Sequence, residues 1–290
     1  MLKNIVEIEW TEEKLALEDG FLHINIWNNS KQPTQRIMIL IHGLLMHGKY
    51  FESLALHLAE FGSLVAAPDL RGFGNSHFGE EPNRLRIDYH KSCEDLSRLI
   101  EHMQGKFGDL PIFLVGESLG ALLARSVVGS HNKHVSGLIL SSPCIRPRIL
   151  SMDLIPHAIS EAVRSALDRQ RELNLAPFAC KFLEAEPENL KDYLDDPLTR
   201  KSLDALELLE SIKILGSIEP QEVPSHIPVL VLRGSNDGVC KNSSYKQFVS
   251  SLRNERLTVH DCNRCGHLIL ETKSIGKDII ESVLDWLKKH

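Results

Sequence analysis

The sequence of 290 residues has no long apolar segment, and its longest uninterrupted apolar run is IMILI at residues 37–41. A helix needs about 20 apolar residues to cross a bilayer. The first ten residues, MLKNIVEIEW, also lack the basic and then apolar pattern of a signal peptide. We therefore expect no transmembrane segment and a cytoplasmic location.

Basic clusters and cysteines are scarce as well. The 33 Lys and Arg residues are outnumbered by 39 Asp and Glu, which gives a formal net charge of −6, and no stretch is basic enough to bind nucleic acid. Six cysteines are too few for a disulfide framework in a chain of this length. We therefore expect no nucleic-acid partner and a reducing compartment.

Short apolar runs, by contrast, are present, and they predict strands that are buried on both faces. These runs begin near residues 36, 63, 110, 135 and 227. Residues 13–28 differ, because apolar and polar residues alternate there around Asp19 and Gly20, which predicts a half-exposed antiparallel hairpin.

Segments with helical spacing of apolar residues lie between the buried runs and after the last one. They cover residues 50–61, 88–104, 118–129, 245–253 and 275–290. Buried strands that alternate with helices predict an α/β fold, a doubly wound and mostly parallel sheet covered on both faces.

The alternation is interrupted between Pro143 and about Val223, where two buried strands are separated by far more than one crossover helix. The interval has helix-like segments and no strand pattern. We predict a core of residues 1–143 and 224–290, with residues 144–223 inserted as a helical cap before the strand that precedes the candidate catalytic Asp. Several apolar residues of the cap would line a lipid tunnel or pack against the core: Leu150, Met152, Leu154, Ile155, Ala176, Phe178 and Phe182.

Residues 116–120, GESLG, follow a buried strand and open a helical segment. This is the context of a G-x-S-x-G nucleophile elbow, in which a sharp turn strains the serine and the small neighbours leave space for it. Because the pattern also occurs by chance, Ser118 needs partner residues elsewhere in the chain.

A serine hydroxyl becomes a nucleophile when a histidine, oriented by a carboxylate, removes its proton. In this architecture the chain order is serine, acid, histidine. Asp237 follows the buried strand at 229–233 across a turn, and His267 lies in a loop before the last helix. We predict Ser118 as nucleophile, Asp237 as the orienting acid and His267 as base, with His260 as an alternative base.

The oxyanion donors are predicted from the same architecture. Gly43 and Leu44 follow the first buried parallel strand, where this fold takes one backbone donor, and Leu119 follows the nucleophile. We expect the N–H groups of Leu44 and Leu119 to face the developing negative charge.

Together with PDLRGFGNS at 68–76 and DDPLTRK at 195–201, these motifs resemble the α/β-hydrolase fold, and more narrowly the monoacylglycerol lipase and lysophospholipase-like serine hydrolases. The resemblance runs from about Leu15 to Leu287. It implies a serine esterase that acts on small to medium acyl esters, without cofactor or metal, with transient membrane contact through the cap.

The sequence departs from the resembled family in two places. Animal monoacylglycerol lipases carry histidine where this chain has Glu117. The loop HGLLMHGKY has two leucines and a methionine where the family often has a small residue and an acidic-His pair. Thioester, lactone or carbon–carbon bond hydrolysis by the same triad stays open, as does a ligand-binding protein with a residual triad.

The spacing of Cys262 and Cys265 beside His267 suggests a metal or redox site. Haem attachment requires the histidine to follow the second cysteine directly, and Gly266 intervenes. Structural zinc needs four ligands, and Cys240 is the one further cysteine expected near this edge of the sheet. We expect no metal and free thiols, with oxidation of the pair as an alternative.

Overall fold

The computed structural model describes residues 7–290 except 80–85, 132–133, 146–171, 178, 180–186 and 217–221. The strands are β1 (Ile8–Leu17), β2 (Gly20–Asn29), β3 (Arg36–Ile41), β4 (Ser63–Pro68), β5 (His77–Phe78), β6 (Ile112–Glu117), β7 (Val135–Ser141), β8 (Leu173–Asn174), β9 (Ser202–Leu203), β10 (Val229–Gly234) and β11 (Leu257–Cys262). The α-helices are α1 (Glu52–Glu60), α2 (Tyr89–Phe107), α3 (Leu119–His131), α4 (Pro187–Asp195), α5 (Ala205–Gly216), α6 (Asn242–Ser251) and α7 (Lys277–Leu287). A 3-10 turn, Gly48–Phe51, precedes α1.

One large sheet has the strand order β1-β2-β4-β3-β6-β7-β10-β11, and β5 pairs with β2. The strands from β4 to β11 along this order are parallel. Strand β2 is antiparallel to both β1 and β4. The predicted α/β fold with a mostly parallel sheet is therefore confirmed.

Alternate residues of the central strands enter two different cores. Ile37 and Ile39 of β3 pack in the core formed with α2 and α3. Met38 and Leu40 of the same strand pack in the core formed with α1 and α7. Because helices cover both faces of the sheet, every position of such a strand is apolar, which explains the uninterrupted runs in the sequence.

The first hairpin differs from its prediction. Strands β1 and β2 extend beyond the predicted residues 13–28 at both ends. Strand β2 is mostly buried, whereas the sequence pattern predicts a half-exposed strand. The burial follows from the position of β2, which lies between β1 and β4 and packs Leu22 and Ile24 into the α2 and α3 core.

The insertion at 144–223 contains helices α4 and α5 in its described part, as expected. The prediction that it contains no strand is wrong, because β8 and β9 form a short antiparallel pair. Two-residue strands are too short to produce a periodic pattern. Ala176 is half-buried and packs against the core, whereas the other predicted apolar cap residues lie outside the described residues.

No helix within the described ranges is long and apolar enough to span a membrane.

Candidate active site

The carboxyl ends of four parallel strands carry the predicted site residues. Gly43 follows β3, Ser118 follows β6, Asp237 follows β10 and His267 follows β11. Parallel strands end at one edge of the sheet, which is where open α/β sheets bind their ligands.

Ser118 occupies the sharp turn between β6 and α3. Its φ is +54°, in the left-handed region that a residue with a side chain rarely adopts. Its N–H donates to the Ser141 carbonyl at 2.9 Å, and its own carbonyl accepts from Ala121 N–H at 3.2 Å. These bonds at both ends of the residue hold the strained backbone in place.

The glycines on either side of Ser118 are required by close backbone contacts. A Cβ atom on Gly116 would lie 2.2 Å from the Gly120 carbonyl oxygen, and one on Gly120 would lie 1.9 Å from the Ile41 carbonyl oxygen. Helix α3 therefore approaches both β6 and the end of β3 more closely than any side chain permits.

The side chains of the three predicted residues form a continuous chain of hydrogen bonds. His267 Nε2 lies 2.8 Å from Ser118 Oγ, and His267 Nδ1 lies 2.9 Å from Asp237 Oδ2. The other carboxylate oxygen, Asp237 Oδ1, accepts from the N–H groups of Val239 at 2.7 Å and Cys240 at 2.9 Å. The alternative base, His260, is a half-buried residue within β11.

The pKa values of His267 and Asp237 depend on each other. Burial lowers the pKa of His267, but the hydrogen bond and charge of Asp237 outweigh burial and raise that pKa above its usual 6.5. For Asp237, burial raises the pKa, but the bond and charge of His267 and two backbone N–H donors bring it below 3.8. At neutral pH Asp237 is therefore ionised beside an imidazole with increased basicity.

Glu117 connects the serine turn to the histidine loop. Its side chain is fully buried and accepts four hydrogen bonds. The donors are Ser141 Oγ at 2.6 Å and the N–H groups of Ile269 at 2.8 Å, Leu270 at 3.0 Å and Glu271 at 2.6 Å. Because three consecutive N–H groups of the loop bind one carboxylate, the position of His267 relative to Ser118 is fixed by Glu117.

The loop after β3 presents the Leu44 N–H. His42 is fully buried, and burial lowers its pKa to about 4. The ring is neutral, with Nδ1 donating to the Gly43 carbonyl at 2.8 Å and Nε2 accepting from Leu70 N–H at 3.0 Å. Within the described part of the chain, the N–H groups of Leu44 and Leu119 have no hydrogen-bond acceptor.

The segment DDPLTRK of the insertion lies against this loop. Three hydrogen bonds join them: His47 Nε2 with Asp196 Oδ2 at 2.8 Å, Tyr50 Oη with Thr199 Oγ1 at 3.0 Å, and the Arg200 N–H with the Leu45 carbonyl at 3.0 Å. Leu45 itself has a φ of +73°. The insertion therefore contacts the same loop that carries Leu44.

Comparison with known proteins gives the family. The sequence profile of the Hydrolase_4 family, described as serine aminopeptidase S33, matches residues 32–273. The chain belongs to this family. The predicted resemblance to serine hydrolases of the α/β-hydrolase fold is thereby confirmed.

Monoglyceride lipases are among the similar proteins. The enzyme of Homo sapiens is 23% identical over 282 residues, which cover 95% of this chain and 90% of that protein. The solved structure of Paleococcus ferrophilus monoacylglycerol lipase has a TM-score of 0.70 at 20% identity, covering 97% of this chain and 99% of that one. A soluble variant of monoglyceride lipase from Saccharomyces cerevisiae has a TM-score of 0.74 at 16% identity, covering 100% and 96%. At these identities the structural likeness shows the α/β-hydrolase fold.

The sequence does not predict a role for three buried residues beside the candidate site: His42, Glu117 and Glu271. In the sequence, Glu117 is distinguished only as a departure from animal monoacylglycerol lipases. The sequence does indicate that both glutamates are buried, because Glu117 ends an apolar strand and Glu271 ends the run LIL. A carboxyl group in such a position must find hydrogen-bond donors in the folded protein.

The cysteines near His267 are free thiols. Cys262 is fully buried, and burial raises its pKa to about 12, whereas Cys265 is partly exposed. Among the residues that the structure describes, no three His, Cys, Asp or Glu side chains are grouped to hold a metal ion.

We predict that Glu117→Gln lowers the free energy of unfolding by about 2–4 kcal/mol, because either orientation of the amide sets its NH₂ group against a loop N–H. Urea unfolding measures the loss. The control is Glu281→Gln on the exposed surface of α7, which should change stability by less than about 0.5 kcal/mol. Equal stability of the two variants would show that Glu117 does not hold the loop.

Proposed function

We propose that this chain is a serine hydrolase that cleaves carboxylic esters with small to medium acyl groups, in the manner of a monoacylglycerol lipase. The observation that carries the proposal is the unbroken hydrogen-bonded chain from Ser118 Oγ through His267 to Asp237, with distances of 2.8 and 2.9 Å. Family membership and the monoglyceride lipase relatives support an ester-cleaving serine hydrolase.

Acylation begins when Ser118 Oγ attacks the ester carbonyl carbon while its proton moves to His267 Nε2. Asp237 stabilises the resulting imidazolium through Nδ1. The carbonyl oxygen becomes an oxyanion, to which the backbone N–H groups of Leu44 and Leu119 donate. His267 then returns the proton to the leaving alcohol, and the carbon–oxygen bond of the alcohol breaks to give an acyl-enzyme.

Deacylation repeats these steps with water as nucleophile. His267 accepts a proton from the water as the water oxygen attacks the acyl carbon, and the same N–H groups hold the second oxyanion. The proton then moves from His267 to Ser118 Oγ, and the carboxylic acid leaves.

The surroundings of Ser118 favour esters over peptide substrates. An aminopeptidase must bind the charged amine of its substrate. Among the described residues, Glu117 and Glu271 next to the Ser118 turn are fully buried, so their carboxyl groups are not placed to bind such an amine. We also propose that residues 144–223 form a cap on a core of residues 1–143 and 224–290. The contacts of residues 196–200 with the loop after β3 support this arrangement, because they bring the insertion next to the acyl site.

The nucleophile is tested by covalent capture. We expect a fluorophosphonate probe to label the wild type, and Ser118→Ala to abolish labelling and lower kcat by at least about 10⁴-fold. Ser63→Ala is the matched control, since Ser63 is a buried serine at the amino end of β4 whose hydroxyl has no hydrogen-bond partner among the described residues. Labelling of Ser118→Ala at the wild-type rate would refute the assignment.

The role of His267 as base is tested by the pH dependence of activity. A histidine accepts a proton only when neutral, so activity should be lost as pH falls through the raised pKa of His267, with a midpoint above 6.5. In Asp237→Asn the midpoint should move to lower pH, because the bond and charge that raise the pKa are gone, and kcat should fall by about 10⁴-fold. The rate of fluorophosphonate labelling between pH 5 and 8 measures both midpoints. A flat profile would remove His267 from the role of base.

The bond that is cleaved is tested with a substrate panel. We expect steady multiple turnover of monoacylglycerols and of p-nitrophenyl esters with short to medium chains. Thioesters, lactones and diketones should react more slowly, and aminoacyl anilides should not react. Preference for a thioester would keep the triad and change the substrate class, whereas a single turnover with retained product would indicate a binding protein.

A further inference from the structure

Glu271 lies four residues after His267, at the end of the loop held by Glu117. Its side chain is fully buried. Oε1 accepts a hydrogen bond from the Gly43 N–H at 2.9 Å, and Oε2 has no hydrogen-bond partner among the described residues. A carboxyl group in the histidine loop thus binds the loop that carries Leu44.

The contact is close as well as polar. A Cβ atom on Gly43 would lie 2.9 Å from Glu271 Oε2 and 3.5 Å from the Cβ of Ser118. The Glu271 carboxyl group, the loop after β3 and the nucleophile therefore meet around the Cα atom of Gly43.

The two peptide groups that flank Gly43 are both held. Glu271 binds the N–H of the peptide between His42 and Gly43. His42 Nδ1 binds the carbonyl of the next peptide, whose N–H belongs to Leu44. In a trans peptide the carbonyl and the N–H point in opposite directions, so these two bonds fix where the Leu44 N–H points. Glycine has the widest backbone freedom of any residue, and without both bonds this direction would not be defined.

Glu117 and Glu271 are both fully buried, and they differ in the number of their hydrogen-bond donors. Glu117 has four, whereas Glu271 has one. Burial raises the pKa of Glu117, against hydrogen bonds from Ser141, Ile269 and Glu271 that lower it. Two carboxyl groups buried in one site do not both ionise near neutral pH. Burial, and after it the charge of Glu117, raise the pKa of Glu271 well above its usual 4.5. Among the described residues Tyr50 also faces Glu271, and because burial raises its pKa, Tyr50 is neutral.

We propose that Glu271 is a positioning residue for the oxyanion hole, and that its carboxyl group orients the Leu44 N–H by holding Gly43. The inference rests on the proposed function, since it concerns the rate of the same reaction. Glu271 contacts no reacting atom and acts through Gly43. Ionisation of Glu271 would place a second negative charge beside Glu117, next to the position where the oxyanion forms.

The first experiment compares Glu271→Gln with Glu271→Leu on p-nitrophenyl butyrate at pH 7.5. Gln keeps an oxygen acceptor for Gly43 and is uncharged, so its kcat should stay within about threefold of the wild type. Leu has a similar size and no acceptor, so its kcat should fall about 10²-fold with KM nearly unchanged, as expected when an oxyanion donor is misdirected. An unchanged kcat in the Leu variant overturns the inference.

The second experiment does not depend on the folding of the Leu variant. Wild-type kcat should fall at alkaline pH as Glu271 ionises, and Glu271→Gln should keep its activity there. The melting temperature of Glu271→Gln should also increase relative to that of the wild type as pH rises above about 4.3, because the wild type must keep a proton that the unfolded chain releases. The same alkaline loss in both proteins overturns the inference. Failure of the proposed function is a separate result, since the wild type would then not turn over esters.

Discussion

The Glu117 carboxylate is the group on which the geometry of the site depends, because it joins two parts of the chain that the sheet alone does not hold together. Ser118 is positioned by the end of β6, whereas His267 lies in a loop after β11, three strands away in the sheet order. Three consecutive loop N–H groups bind Glu117, the residue directly before Ser118. The 2.8 Å distance between His267 and Ser118 is therefore fixed by hydrogen bonds one residue away from Ser118, the proposed nucleophile.

A charged group in this position also has an electrostatic effect. Glu117 adds negative charge near His267 and raises its pKa in the same direction as Asp237 does. A second ionised carboxylate would add to this charge and would oppose the oxyanion. In the proposed arrangement the pair of buried glutamates avoids that conflict, because Glu117 has four hydrogen-bond donors and Glu271 has one. The same pair would therefore support the proposed base, His267, and leave the proposed oxyanion site without further negative charge.

The sequence predicts the parts of the molecule that depend on local pattern. Buried strands, the GESLG turn and the order of Ser118, Asp237 and His267 are all visible within short windows. The contacts of Glu117 with residues 269–271 span 152 to 154 positions, and that of Glu271 with Gly43 spans 228. No local pattern encodes such a pairing. The burial of β2 could not be predicted from its sequence for the same reason, since that burial depends on which strands lie on either side of β2.

The loop after β3 is where the separate constraints meet. His42 and Glu271 hold the two peptide groups around Gly43, and two residues further on Leu45 has a left-handed backbone whose carbonyl accepts from Arg200 of the insertion. A positive φ in a leucine costs free energy, and such strain persists only where the surrounding contacts hold it. The insertion supplies one of those contacts, so a shift of residues 196–200 would be transmitted to the loop that directs the Leu44 N–H. The insertion, which we propose borders the acyl site, is in this way coupled to the N–H group proposed to stabilise the transition state.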